Sequence, residues 1–134
     1  MHETHRDAAD IRDDDLLLRR ITPDLHFNVQ PDGSKILTGF AFREQSHEPS
    51  MYVAKEVTHE KVLSCGFPTQ QIVELTAGNV RGLEYMIVRK PDDCDDSHVF
   101  AKARILKSNN QIKKDCKALA EIVNARYAAL PPQN

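Results

Sequence analysis

The sequence has no tryptophan, and aromatic residues make up only 6% of it. That argues against a platform for single-stranded nucleic acid, which needs exposed rings on which bases stack. It has three cysteines, Cys65, Cys94 and Cys116, an odd and widely spaced set without a CxxC pair. Such a set does not read as a secreted disulfide scaffold and predicts free thiols in an intracellular protein. No GxGxxG, no GxxxxGK followed by Ser or Thr, and no GxSxG occurs. Neither a glycine-loop phosphate cradle nor a nucleophile elbow is therefore expected. The histidines lack metal-ligand spacing such as HxxxH, and the run Asp92, Asp93, Cys94, Asp95, Asp96 lacks the turn glycine and distal glutamate of a calcium loop. No metal and no cofactor is expected. No apolar run is long enough to span a bilayer. The opening MHETHRDAADIRDDD is polar and acidic, unlike a signal or transit peptide. The expected compartment is the cytoplasm.

What is present is the composition of one globular domain: 134 residues, 40% hydrophobic and 28% charged, with a formal charge of −2. A core of this size stands without disulfide or metal staples. The charge is segregated along the chain. From Lys102 to Lys117 six bases (Lys102, Arg104, Lys107, Lys113, Lys114, Lys117) stand against the single acid Asp115. The Asp92–Asp96 run lies directly before this stretch, and residues 1–15 are rich in acids (Glu3, Asp7, Asp10, Asp13, Asp14, Asp15). Fields of opposite sign on different surfaces bear on partners rather than on fold.

Periodicity supplies the elements. Residues 1–15 read as an acidic flexible arm, with Ala8, Ala9 and Ile11 as a small apolar face, and 16–134 as a single domain. Strands are expected at Leu16–Ile21, Leu25–Val29, Ile36–Phe42, Met51–Ala54, Ile72–Leu75, Tyr85–Val88 and His98–Ile105. Gln30-Pro31-Asp32-Gly33 reads as a tight turn. Thr58 is placed to cap a short helix that stops at Gly66, and Thr76 to cap another around Asn79 to Gly82. From Ser108 or Asn109 onward, Ile112, Cys116, Leu119, Val123, Tyr127 and Leu130 form one helical stripe, ended by Pro131-Pro132. The expected fold class is α+β: a single domain, a mixed or mainly antiparallel sheet, one long C-terminal helix and one or two short ones.

Several residues are candidates for chemistry. Arg19 and Arg20 point to opposite faces of one strand, so one of them meets the packed side and needs an anionic or carbonyl partner. That partner is either a ligand anion or a structural group. His98 follows four aspartates and is a candidate proton carrier or a strand-end hydrogen-bonding residue; His26 and His59 are further histidine candidates. Cys94 among acids has its thiolate disfavoured. The fragment Thr76 to Arg81 offers backbone N–H groups at a helix start with Arg81 beside them, a weak anion-site signal that a capping turn explains equally well. Lys113, Lys114 and Lys117 fall in the first turns of the long helix, where positive charge opposes the helix dipole.

The order of LLLRRI (Leu16–Ile21), Pro31-Asp32-Gly33, Gly39-Phe40-Ala41-Phe42, Met51-Tyr52-Val53, Thr76 to Arg81 and Ser97-His98-Val99-Phe100 before a basic helix resembles a group of small bacterial proteins of uncharacterised function. The resemblance implies an autonomous α+β domain and no activity. The leading expectation is a non-catalytic interaction module of a bacterial cytoplasmic system. It binds a larger protein partner or a phosphate backbone through Lys102, Lys107, Lys113, Lys114 and Lys117, with the acidic arm modulating the contact. The rival is a small enzyme acting on a phosphorylated or nucleotide-like substrate, with Arg20 anchoring the anion, His98 handling a proton and Arg81 assisting. At fold level that is similar to ADP-ribosyltransferases, which also use an arginine on an early strand.

Overall fold

The short apolar run Leu16–Ile21 forms β1, an interior strand of the main sheet. The protein is described by a computed structural model over residues 6–44 and 47–128. β4 (Ser50–Val53) and β5 (Gln71–Thr76) flank β1, and β7 (His98–Ala103) and β6 (Tyr85–Arg89) complete a sheet ordered β5-β1-β4-β7-β6. All its pairings are antiparallel, with Leu18 opposite Tyr52 and Tyr52 opposite His98. A two-stranded hairpin, β2 (Phe27–Val29) and β3 (Lys35–Leu37), stands apart and turns through Gly33 at φ +88°. The class is α+β, as expected.

The two faces of the sheet carry unequal cores. Leu17, Ile21, Met51, Val53, Val73, Leu75, Ile87 and Val99 point into the main one. It is covered by α4 (Asn109–Ala128), which buries Cys116, Leu119, Ala120 and Val123. Ser108 caps α4 by accepting a hydrogen bond from the Gln111 N–H at 3.1 Å. Leu130 and Pro131-Pro132 lie outside the described residues, and Tyr127 is half-exposed rather than core. On the opposite face, α2 (His59–Ser64) packs Val62 on Leu18 and Tyr52. Thr58 caps α2, and Thr76 caps α3 (Ala77–Arg81) through a reciprocal box with Asn79.

Ala54 starts a 3-10 turn rather than ending β4, β7 stops at Ala103 rather than Ile105, and two longer stretches depart further from the periodicity. Leu25 and His26 belong to a four-residue helix α1 (Pro23–His26) with proline at its start, and the strand begins only at Phe27. The expected strand Ile36–Phe42 ends at Leu37, and Gly39–Phe42 winds into a 3-10 turn. The cause is packing on α4. A Cβ at Gly39 would stand 3.2 Å from the Lys117 backbone nitrogen, and Ala41 and Phe42 turn into the core.

The acidic segment differs from a free arm over residues 7–15. Ile11 is 1% exposed and belongs to the main core. The Ala8 N–H donates to the Ile87 carbonyl at 2.8 Å, and the Ile87 N–H donates to Asp7 Oδ1 at 2.9 Å. The segment thus covers the outer edge of β6, which would otherwise offer unpaired backbone groups. Arg81 donates to Asp7, Asp13 and the Ala8 carbonyl, Arg89 to Asp10 and Glu56, and Lys55 to Asp15. Ala9 and Ile11 hinted at this, but the six acids dominated the composition. Residues 1–5, with Glu3, lie outside the description.

The cysteine expectation is corrected as well. Cys65 and Cys94 form a disulfide with Cα atoms 5.8 Å apart, and only Cys116 is a free, buried thiol. A sequence separation of 29 conceals that the end of α2 meets the β6–β7 loop. The cysteines therefore no longer argue for a reducing compartment. No described helix is long and apolar enough to cross a membrane.

Ile11→Ala distinguishes a docked segment from a free one. It is expected to lower unfolding stability by about 2–5 kcal/mol, as for other aliphatic-to-alanine changes in a closed core. A urea denaturation midpoint equal to the parent's would show that Ile11 contributes nothing.

Candidate functional site

The bases of the Lys102–Lys117 stretch do not form one surface. Lys102 faces Glu48 at 3.6 Å and Arg104 faces Asp7 at 3.5 Å. Lys107 leaves the expected binding face altogether. Its side chain is 5% exposed, and its Nζ donates to the Leu83 carbonyl at 2.6 Å and to Asp115 Oδ2 at 2.8 Å. It also lies 4.5 Å from the Tyr85 ring centroid. Lys113, Lys114 and Lys117 on α4 are exposed, with no ion pair to any described residue. The Asp92–Asp96 loop does not neutralise them. Among the described residues no ion pair joins its aspartates to these lysines, and Asp92 instead accepts from the Tyr52 hydroxyl and lies 3.9 Å from His98.

Lys113 and Lys117 instead rim a groove. Its walls are Ile36 and Leu37 of β3 and Ala120 and Asn124 of α4; its floor is Gly39 and Phe40 of the 3-10 turn. The volume is about 440 Å³, within the range of ordinary ligand clefts. Phe40 is 62% exposed and Ile36 is 41% exposed. Arg43 stacks its guanidinium 5.4 Å from the Phe40 centroid and joins the two lysines, and Glu121 is the one acid among the described residues lining the groove. The side-chain amide of Asn124 donates to the Leu37 carbonyl and accepts from its N–H, both at 2.9 Å, which fixes β3 to α4. Sequence reasoning missed Phe40, Ile36 and Arg43, since strand alternation assigned the two apolar ones to a sheet face.

Arg19 and Arg20 do point to opposite faces. Arg19 is 7% exposed, donating from Nε to the Ala41 carbonyl at 2.6 Å and from Nη1 to the Ser50 carbonyl at 2.8 Å. Glu44 lies 3.7 Å away. Burial pulls the guanidinium below its ordinary pKa, and Glu44 works against that. Its partners are structural ones. Arg20 and His98 share the other face, on either side of Tyr52 in strand order. The Arg20 guanidinium lies 5.5 Å from the Tyr52 ring centroid and the His98 ring 5.2 Å from it. Tyr52 is 3% exposed and donates its hydroxyl to Asp92 at 3.0 Å. His98 Nδ1 is 2.7 Å from the Lys90 carbonyl, with Nε2 3.9 Å from Asp92. Arg81 does not join them, being held by Asp7 and Asp13. His26 accepts from the Thr22 N–H through Nδ1, and burial lowers its pKa; His59 faces Glu74 at 4.0 Å.

The chain matches no family model, no curated protein and no solved structure. The resemblance to small bacterial proteins gains no support from these comparisons, and any functional reading rests on the geometry of the chain itself.

The buried pair behind the lysine face has a pH signature. Burial opposes the charge on Asp115, but donors from Lys107, Gln111 and Tyr85 outweigh it and hold the carboxyl below the usual carboxylate range. Burial and the Asp115 contact push the Tyr85 phenol upward. A depressed folded-state pKa contributes stability that is present above the unfolded value of about 3.9 and lost as pH falls through the folded value. Asp115→Asn strands the Lys107 charge and is expected to cost about 3 kcal/mol at neutral pH. The difference from the parent protein should narrow below about pH 4 in denaturation curves. A gap independent of pH would show that the charge of Asp115 contributes nothing.

Proposed function

We propose that this chain is a non-catalytic interaction module whose groove beside α4 receives a segment of a larger protein carrying acidic side chains next to apolar ones. The observation that supports the reading is the coincidence of an exposed apolar floor with an unneutralised cationic rim. Phe40 and Ile36 supply apolar surface, while Arg43, Lys113 and Lys117 outnumber Glu121 around it. An apolar anchor in the groove gives affinity, and the rim selects acidic flanks and speeds encounter. A nucleic-acid backbone would use the lysines and leave the apolar floor idle. The acidic segment is assigned an intramolecular role in this reading, because its aspartates are engaged by Arg81, Arg89 and Lys55. The enzyme reading is weaker. Tyr52 fills the space between Arg20 and His98 where a substrate would sit, and Arg81 is committed to the acidic segment.

Fluorescence anisotropy with labelled probes tests this: a peptide alternating glutamate and leucine, a polyglutamate, and an oligonucleotide. The mixed peptide should bind best, and its affinity should fall as salt rises. Lys113→Glu combined with Lys117→Glu should weaken it about tenfold or more at low salt and less at high salt. Phe40→Ala should weaken it about tenfold at every salt concentration, because burial of apolar surface is not screened. Binding indifferent to both variants would sink the reading. An oligonucleotide binding tighter than the peptide, with the same lysine dependence, would replace the protein partner by nucleic acid.

A further inference from the structure

The cysteines point to a second site, independent of the groove. The Cys65–Cys94 bridge joins two peripheral pieces: the residue that ends α2, and the loop between β6 and β7. Neither cysteine belongs to the main core, and both are half-buried, within reach of a small thiol. A helix of six residues does not hold itself and depends on its attachments. Apart from the bridge, α2 is held mainly by Val62 on the small cluster of Leu18 and Tyr52.

The loop is secured at two levels. Asp92 Oδ1 accepts from the N–H groups of Cys94 and Asp95 at 3.0 and 2.8 Å, and its Oδ2 accepts from the Tyr52 hydroxyl. Asp95 Oδ1 accepts from the Ser97 N–H at 2.8 Å. The bridge clamps this folded loop onto α2 from outside. Beneath the two lie Tyr52, the Arg20 guanidinium and the His98 ring, whose side chain is 12% exposed. A domain with this main core has no need of a staple for its fold. An accessible bridge between peripheral elements belongs with reducible disulfides rather than structural ones.

We propose that Cys65–Cys94 is a reducible latch, opened by a dithiol, that covers the Arg20–Tyr52–His98 surface when closed. A thiolate of the dithiol attacks one sulfur, forming a mixed disulfide and releasing the other cysteine as a thiolate, which takes a proton. The second thiol of the reductant then displaces the remaining cysteine. The products are Cys65 and Cys94 as thiols and the reductant as its own disulfide, with two electrons and two protons passed to the protein. Opening frees α2 and the loop together and leaves the main core closed.

The test uses the full chain, purified without reductant and compared with and without dithiothreitol. Mass spectrometry after alkylation should find a Cys65–Cys94 linked peptide before reduction and both residues alkylated after it, with buried Cys116 protected throughout. Hydrogen exchange over residues 59–66 and 90–98 should rise about tenfold or more on reduction, while β1, β5 and α4 stay unchanged. The variant carrying Cys65→Ser and Cys94→Ser should show the open pattern with or without dithiothreitol. Three results would overturn the proposal: no linked peptide in the air-oxidised protein, exchange unchanged on reduction, or exchange rising throughout the domain, which would mark a staple. None of these bears on peptide binding at the groove, so the two readings stand or fall separately.

Discussion

Arg19 is the long polar side chain in the layer of Leu17 and Ile21, and the groove floor hangs on it. A guanidinium placed in a core layer needs acceptors, and the chain supplies them by turning its own backbone inward at Ala41 and Ser50. Those two carbonyls bracket the connection between the 3-10 turn and β4. Holding Ala41 in place presses Gly39 on the α4 backbone, buries Phe42 and leaves Phe40 facing outward. The same guanidinium stacks 5.7 Å from the Phe42 ring centroid. A lysine offers a point charge and cannot serve two carbonyls in one plane, so the arrangement is specific to arginine.

The other cations divide by the same chemistry. Arg81 and Arg89 fork onto the aspartates of residues 7–13 and, with Ile11, tie that segment across the β6 edge. Lys107 is drawn inward by a carboxylate, a carbonyl and a ring. Lys113, Lys114 and Lys117, on the N-terminal half of α4, have no ion pair with any described residue. Most of the arginines on the sheet and its covering segment are engaged internally, whereas Arg43, Lys113 and Lys117 border the apolar groove beside α4. These lysines lie on α4, beyond the C-terminal end of β7. The acidic loop and the bridge lie at the opposite end of β7.

Much of the fold was legible because it follows from local periodicity. The 4-3-4 spacing from Ile112 to Val123 needs no tertiary partner to identify α4, and Thr58 and Thr76 mark their helices through caps within three residues. Less was legible at the site. Strand alternation over Ile36–Phe42 is a correct local signal overruled by α4, which accepts close approach only at Gly39. Lys107 reads as one more surface lysine, because nothing in the spacing shows that Asp115, eight residues on, and the Leu83 carbonyl both close on it. The acids of residues 7–15 read as solvated until the arginines of α3 and β6 stand opposite them.

By itself, then, the sequence determined the α+β class, the register of alternation in the central strands, the long helix and the uneven distribution of charge. Each of these depends on residues within a few positions of one another. Tertiary structure alone decided which charges are presented and which are consumed, that Cys65 and Cys94 meet, and that a groove opens between the hairpin and α4. Apart from Lys107 and Asp115, eight residues apart, those outcomes depend on pairs tens of residues apart, and composition carries no record of which side chain will face which.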